Sequence, residues 1–236
     1  MKVFNRGLLA LTLTFVLQSQ LFAEYLYKDE VVKRPAFTEQ VETLGSELHQ
    51  KTGIALRLLM LKKLPQDTTM NEYQKEVLSH FSEPTIILVF AEMNSEVNIF
   101  TNDDSLYKYF NKNQVLSPMA SAVQAFVMAL TYGHDWESFN KLRTDYGGSI
   151  LPLLAGKAKK EQVVGKYAGS MFNGYIDIAH QVSTNKGILL ENDPGDANQT
   201  ALFYVKLVFY GFVLYAIIMY IRRVLYRRKH KNEQIK

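Results

Sequence analysis

Two apolar segments of unequal length decide where everything between them has to work, and they constrain this chain more than any motif in it. Gly7 to Leu17 (GLLALTLTFVL) is a short apolar run behind the basic residues Lys2 and Arg6. A basic start followed by an apolar stretch well short of about 20 residues has the form of a secretory signal peptide, here residues 1–23. Leu21-Phe22-Ala23 supplies a cleavage point, with Leu21 where a small residue fits better. The alternative, an uncleaved anchor, would give a two-span hairpin with both chain ends inside. Near the other end, Ala201 to Ile221 (ALFYVKLVFYGFVLYAIIMYI) runs 21 residues with Lys206 as its only charge. At about 1.5 Å per residue such a helix spans the roughly 30 Å hydrocarbon core of a bilayer. Lys206 is close enough to the outer end to extend its ammonium to the interface. Tyr204 and Tyr210 toward one end, and Tyr220 and Tyr226 toward the other, suit interfacial aromatic belts. Arg222, Arg223, Arg227, Arg228, Lys229 and Lys231 follow at once, so the positive-inside bias puts the tail, residues 222–236, in the cytoplasm. The expectation is a single-pass inner-membrane protein with residues 24–200 in the periplasm.

Charge supports that division. Residues 24–200 hold 17 Lys and Arg against 22 Asp and Glu, a net of −5, whereas the tail holds 7 against 1, a net of +6. The basic balance of the whole chain is therefore a topology signal, and the working domain is mildly acidic. Nucleic-acid binding calls for a basic stripe on a folded domain, which is missing here. The chain has no cysteine. An exported domain of this size buries enough surface to fold without disulfides, and thiolate metal sites and thiol nucleophiles are excluded.

The exported part reads as one α/β domain, residues 24–184. Phe37, Val41, Leu44 and Leu48 recur at helical spacing, and the helix they predict ends near Thr52-Gly53. A strand is expected over Ile54 to Met60. Thr69 with Glu72 is a capping box opening a helix to about Phe81. Thr85 to Ala91 (TIILVFA) is a continuous apolar run, read as a central strand buried on both faces, and Glu96 to Thr101 alternates as its hairpin partner. Pro118 is expected to start a helix to about Tyr132, with helical turns around Trp136–Arg143 and Ile150–Leu154. Val164, Tyr167, Met171, Tyr175, Ile178 and Val182 make a long amphipathic helix. Residues 185–200 are read as linker, and the polar Glu191 to Thr200 as a flexible tether.

That order of elements resembles the TPM domain family. The resemblance rests on "KTGIALRLLMLKKLP", a helix containing "NEYQKEV", the buried strand "TIILVFA" and the hairpin return "SEVNIFTNDD", and it covers roughly residues 36–183. TPM domains are exported and usually tethered by one C-terminal helix. The resemblance implies a compact α/β/α sandwich followed by a single transmembrane helix. It further implies either a part in the assembly, repair or modulation of membrane complexes or, in one branch, a phosphatase activity. This chain departs from many relatives after the hairpin, where Thr101-Asn102-Asp103-Asp104-Ser105 stands in place of a glycine-rich turn.

Motifs for catalysis are absent. His49, His80, His134, His180 and His230 show no HExxH spacing, and the chain contains no nucleophile elbow, P-loop or GxGxxG. His134-Asp135-Trp136-Glu137 invites an acid–base reading, but a helix start capped by Asp135 explains it more simply. Two clusters carry the site expectations. Asp103 and Asp104, with Asn102 and Ser105, offer the hard oxygens that Ca²⁺ or Mg²⁺ prefers, or else cap a short helix over Leu106–Phe110. Asn173, Asp177 and His180 fall at i, i+4 and i+7 on the long helix, a polar stripe that is either a solvated face or an interaction surface. Asn173-Gly174-Tyr175 interrupts the strong helix formers and would admit a close approach of another backbone. The function expected is a membrane-tethered periplasmic interaction module that assists assembly or maintenance of an inner-membrane protein complex. A divalent-cation-dependent phosphatase using Asp103 and Asp104 is the alternative.

Overall fold

The computed structural model describes residues 24–193 and 195–233, so the signal-peptide reading of residues 1–23 lies outside them. It divides into an α/β body ending at Asp193 and a helical unit beyond it. The body is built on a four-stranded sheet in sequential order, β1 (Lys28–Asp29), β2 (Ala55–Leu61), β3 (Thr85–Ala91) and β4 (Glu96–Thr101). The first three strands are parallel, and β4 returns antiparallel to β3 with Leu88 opposite Ile99. The two-residue β1 was not expected. Lys28 and Asp29 carry no strand pattern, and they pair beside β2 because Tyr25 and Leu26 before them are buried.

Two connections set the parallel pairing. Helix α1 (Pro35–Thr52) leads into β2, and Gly53 closes it with φ of 71°, a left-handed geometry that glycine adopts without a Cβ penalty. Helix α2 (Met70–Leu78) leads into β3 from the expected capping box: Thr69 Oγ1 accepts the Glu72 N–H, and the Glu72 carboxylate accepts the Thr69 N–H. It stops at Leu78, one turn before the expected Phe81. Every residue of β2 and β3 is buried, as a parallel pair covered on both sides demands.

Alternation along the strands sorts the core into two sets. Leu56, Leu58 and Met60 of β2, with Ile86, Leu88 and Phe90 of β3, pack with α1 and with α7 (Val163–Asn185). Leu59, Leu61, Ile87 and Val89 face the other way, onto Met70, Tyr73 and Val77 of α2. Arg57 takes the second face too, at the start of β2, with only 4% of its surface exposed. Its two terminal guanidinium nitrogens donate to the Glu24 carbonyl and the Glu83 carboxylate, and the group lies over the Phe81 ring, so the buried charge is paired.

The centre of the body is Tyr175. It is fully buried on α7, and its hydroxyl donates to the Leu56 carbonyl at 2.8 Å. Burial pushes its pKa up, so it stays a neutral donor. A Cβ on Gly45 of α1 would come within 2.3 Å of that hydroxyl and 2.5 Å of the Tyr25 ring, so glycine is the residue that lets α1 and α7 close over the sheet.

Between β4 and α7 the chain forms a 3₁₀ turn (Asp104–Lys108), then the short α3 (Lys112–Val115), α4 (Ala122–Tyr132), α5 (Trp136–Thr144) and α6 (Leu151–Ala155). Helix α4 starts four residues later than expected, because Ser121 caps it by accepting the Gln124 N–H, while Ser117 turns its hydroxyl to the Met119 N–H. The final helix, α8 (Gly195–Glu233), contains a 21-residue stretch, Leu207–Arg227, that is apolar and long enough to cross a membrane. It overlaps the expected span from residue 207 to 221. Helix begins at Gly195, so most of the segment expected as flexible tether is helical.

Candidate interaction surface

The acidic pair after β4 is spent on local structure. Asp103 Oδ1 accepts the Ser105 N–H at 2.8 Å and Oδ2 accepts the Ser105 hydroxyl at 2.7 Å. These bonds hold its carboxyl below the ordinary range, and Asp104 enters the first turn of the 3₁₀ segment that Asp103 caps. Asn102 is turned elsewhere, accepting the Thr85 N–H and donating to the Glu83 carbonyl, which locks the β3–β4 hairpin to the loop between α2 and β3. The geometry is that of a cap. Among the described residues no three His, Asp or Glu side chains converge as a metal ion would require.

The polar stripe on α7 is a seam within the chain. Asn173 Nδ2 donates to the Ser149 carbonyl at 2.7 Å. Gly174 beside it admits a side chain instead of a backbone, since a Cβ there would lie 2.2 Å from Ile150 Cγ1. Asp177 accepts from Gln181 at 2.9 Å and from Gln114 at 3.3 Å, and Gln181 in turn accepts the Asn111 N–H and donates to Gln114. His180 Nδ1 pairs with Asp193 at 2.6 Å. The stripe therefore fixes the loops on both sides of the α4–α5 excursion and, through His180, the point where the chain leaves the body.

That exit is fastened a second time. Glu47 on α1, with about 10% of its side chain exposed, accepts the N–H groups of Glu191 and Asn192, the Asn192 amide and the Lys51 ammonium. Burial opposes ionisation of Glu47, but those donors outweigh it and hold its pKa down to about 2. Residues 191–193, expected as tether, are thus part of the body. Their polarity hid this: ENDPG reads as loop, and its long-range partner Glu47 leaves no local pattern.

The feature the residue patterns gave least warning of is the surface of α4 and α5. Helix α4 (AVQAFVMALTY) has no charged residue, and only Ala125 and Ala129 are buried. Val123 is 70% exposed, Leu130 64% and Trp136, at the start of α5, 73%, with Phe126, Val127 and Tyr132 about half exposed. Phe139 of α5 stacks on Trp136 at 5.6 Å and meets Phe126 edge-on at 6.2 Å. Asp135 caps α5 as expected, in a reciprocal pair with Ser138. The two helices pack on each other and on little else. Their roots are held together, with the Gly148 N–H donating to the Met119 carbonyl and the Ser149 N–H to the Val115 carbonyl. Monomeric soluble domains rarely leave so continuous an apolar patch uncovered. The available signal was the missing polar face: an amphipathic surface helix alternates, and α4 does not.

A smaller apolar cavity of about 400 Å³ lies by the end of β3, lined by Phe90, Val97, Pro118, Leu151, Leu154 and Tyr167. Lys166 at its rim is already donating to the Leu154 and Gly156 carbonyls. No protein-family model, curated protein or solved structure matches this chain.

Proposed function

We propose that this chain is a membrane-tethered interaction module, its α/β body on the periplasmic side of an inner membrane, its C-terminus in the cytoplasm, assisting assembly or maintenance of an integral membrane protein complex. The TPM resemblance, with its α/β/α sandwich, supports this reading. The observation that carries it is the exit of the body. Glu47 and His180 fasten residues 191–193, and α8, whose stretch from Leu207 to Arg227 is apolar enough to cross a bilayer, begins two residues later. A body tethered in this way meets a partner in its own membrane at high effective concentration, so a weak interface suffices.

The test is complementation in cells lacking the protein. The body released after Asp193 and expressed at native level should fail, and the same body carrying an unrelated single-span helix in the same orientation should succeed. Crosslinking in those membranes should capture an integral membrane protein with the tethered forms only. Full complementation by the released body would overturn the reading in favour of a soluble substrate.

A further inference from the structure

The α4–α5 hairpin has no partner in the body, and its chemistry names one. We propose that it is a second membrane contact, lying in the interfacial layer of the bilayer that α8 crosses. This goes beyond the proposed function and requires no protein complex.

Eleven residues at about 1.5 Å each give α4 roughly 16 Å, half of what a span needs but ample for a helix lying in the plane of the interface. Along that length there is no charged side chain to desolvate. The aromatic residues at the tip, Tyr132 and Trp136, are the types that concentrate where hydrocarbon meets headgroup, with an apolar ring and one polar hydrogen. Trp136 is the only tryptophan in the chain, and it is spent on a surface. The cap bonds of Asp135 and Ser138 keep the turn between the helices polar and internally satisfied, as a turn at headgroup depth must be.

A protein partner would fit the same apolar face, but two features favour lipid. The chain carries its own candidate span, and on the tethered reading proposed above, on which this inference rests, the body stays beside a bilayer. The face also lacks the complementary charges that commonly steer one protein surface onto another. Lys141 and Arg143 of α5 are offset by Asp135, Glu137 and Asp145. Affinity therefore comes from apolar insertion and not from attraction to anionic headgroups, and docking is independent of salt and of lipid charge.

The single tryptophan makes the test direct. The full chain, reconstituted in phosphatidylcholine vesicles, should show Trp136 emission shifted to shorter wavelength, protected from aqueous iodide and quenched by acyl-chain-brominated phosphatidylcholine. Adding anionic lipid or raising salt should leave this unchanged. The variant Val127→Asp/Leu130→Asp alters only exposed positions and should return Trp136 to iodide access, with the amide-exchange protection of β2 and β3 intact. Emission typical of water in the wild-type chain, quenched by iodide and untouched by brominated lipid, would overturn the proposal. A shift present only in native membranes, pointing to a protein partner, would do the same, as would one that grows with the protein-to-lipid ratio, pointing to a second copy.

Discussion

Helices α7 and α4 are both rich in apolar residues, yet one is consumed by the fold and the other is left over. On α7 the apolar positions Met171, Tyr175, Ile178 and Val182 are buried against α1 and the sheet, and the polar stripe is bonded to neighbouring loops and to Asp193. On α4 the buried positions are two alanines, and the large side chains face outward. Hydrophobicity alone therefore does not say where a helix goes. What separates the two is the presence of a polar face: α7 has one, so its apolar side is specified, whereas α4 has none, and packing of its smallest residues against α5 decides which side turns in.

The comparison breaks most visibly at the centre of α7. Tyr175→Ala would remove a fully buried ring and leave the Leu56 carbonyl without its donor. A cavity of that kind costs about 3–5 kcal/mol, with the orphaned carbonyl adding to it. The expected outcome is loss of most amide-exchange protection in β2 and β3 of the full chain, since core strands report global opening. Tyr175→Phe separates the terms, keeping the ring and losing only the hydrogen bond, at about 1–3 kcal/mol. Protection unchanged in Tyr175→Ala would mean that α7 is not the element on which the body closes.

Much of the body was legible because local and tertiary signals agree there. The capping box at Thr69, the αL glycine after Thr52, the run TIILVFA and the alternation of Glu96–Thr101 each state a conformation that the sheet then uses. The candidate sites were less legible for a physical reason. Asn173, Asp177 and His180 are polar residues at plausible spacing, but whether such residues wait for a ligand or bond to their own chain depends on partners such as Ser149, Gln114 and Asp193, up to 63 positions away. The two-residue β1 was invisible, because it is held by the residues around it and not by its own strand propensity. The start of α4 was misplaced because Ser117-Pro118 and Ser121 are both acceptable openings, and only Ser121 bonds to the helix it precedes.

A smaller effect sharpens the contrast at the exit that α7 helps to hold. Glu47 has a folded pKa of about 2 against an ordinary 4.5, so it stabilises the body wherever it is ionised. The sign follows from linkage: the contribution is complete above about pH 4.5 and fades as pH falls toward 2. Glu47→Gln should cost on the order of 2 kcal/mol at pH 7, read as faster amide exchange or proteolysis around residues 189–193. The gap between variant and wild type should narrow as the buffer is taken from pH 5 to pH 3 and close only toward pH 2. A gap independent of pH would show that shape, and not the carboxylate charge, holds the exit.

The smallest effect is expected at the most hydrophobic surface. Leu130→Ser replaces a side chain that is 64% exposed and touches no other element of the core, and surface changes of this kind usually alter stability by no more than about 0.5 kcal/mol. The stability of the body should therefore be unchanged, as judged by exchange in β2 and β3. At an apolar position of α7 such as Ile178, which is fully buried, the same kind of substitution would be severe. If Leu130→Ser instead unfolds the body, α4 belongs to the core and the division drawn between the two helices is false. If it leaves stability intact while weakening membrane association of the body, the apolar side chains of α4 are held for a contact that the fold itself does not need.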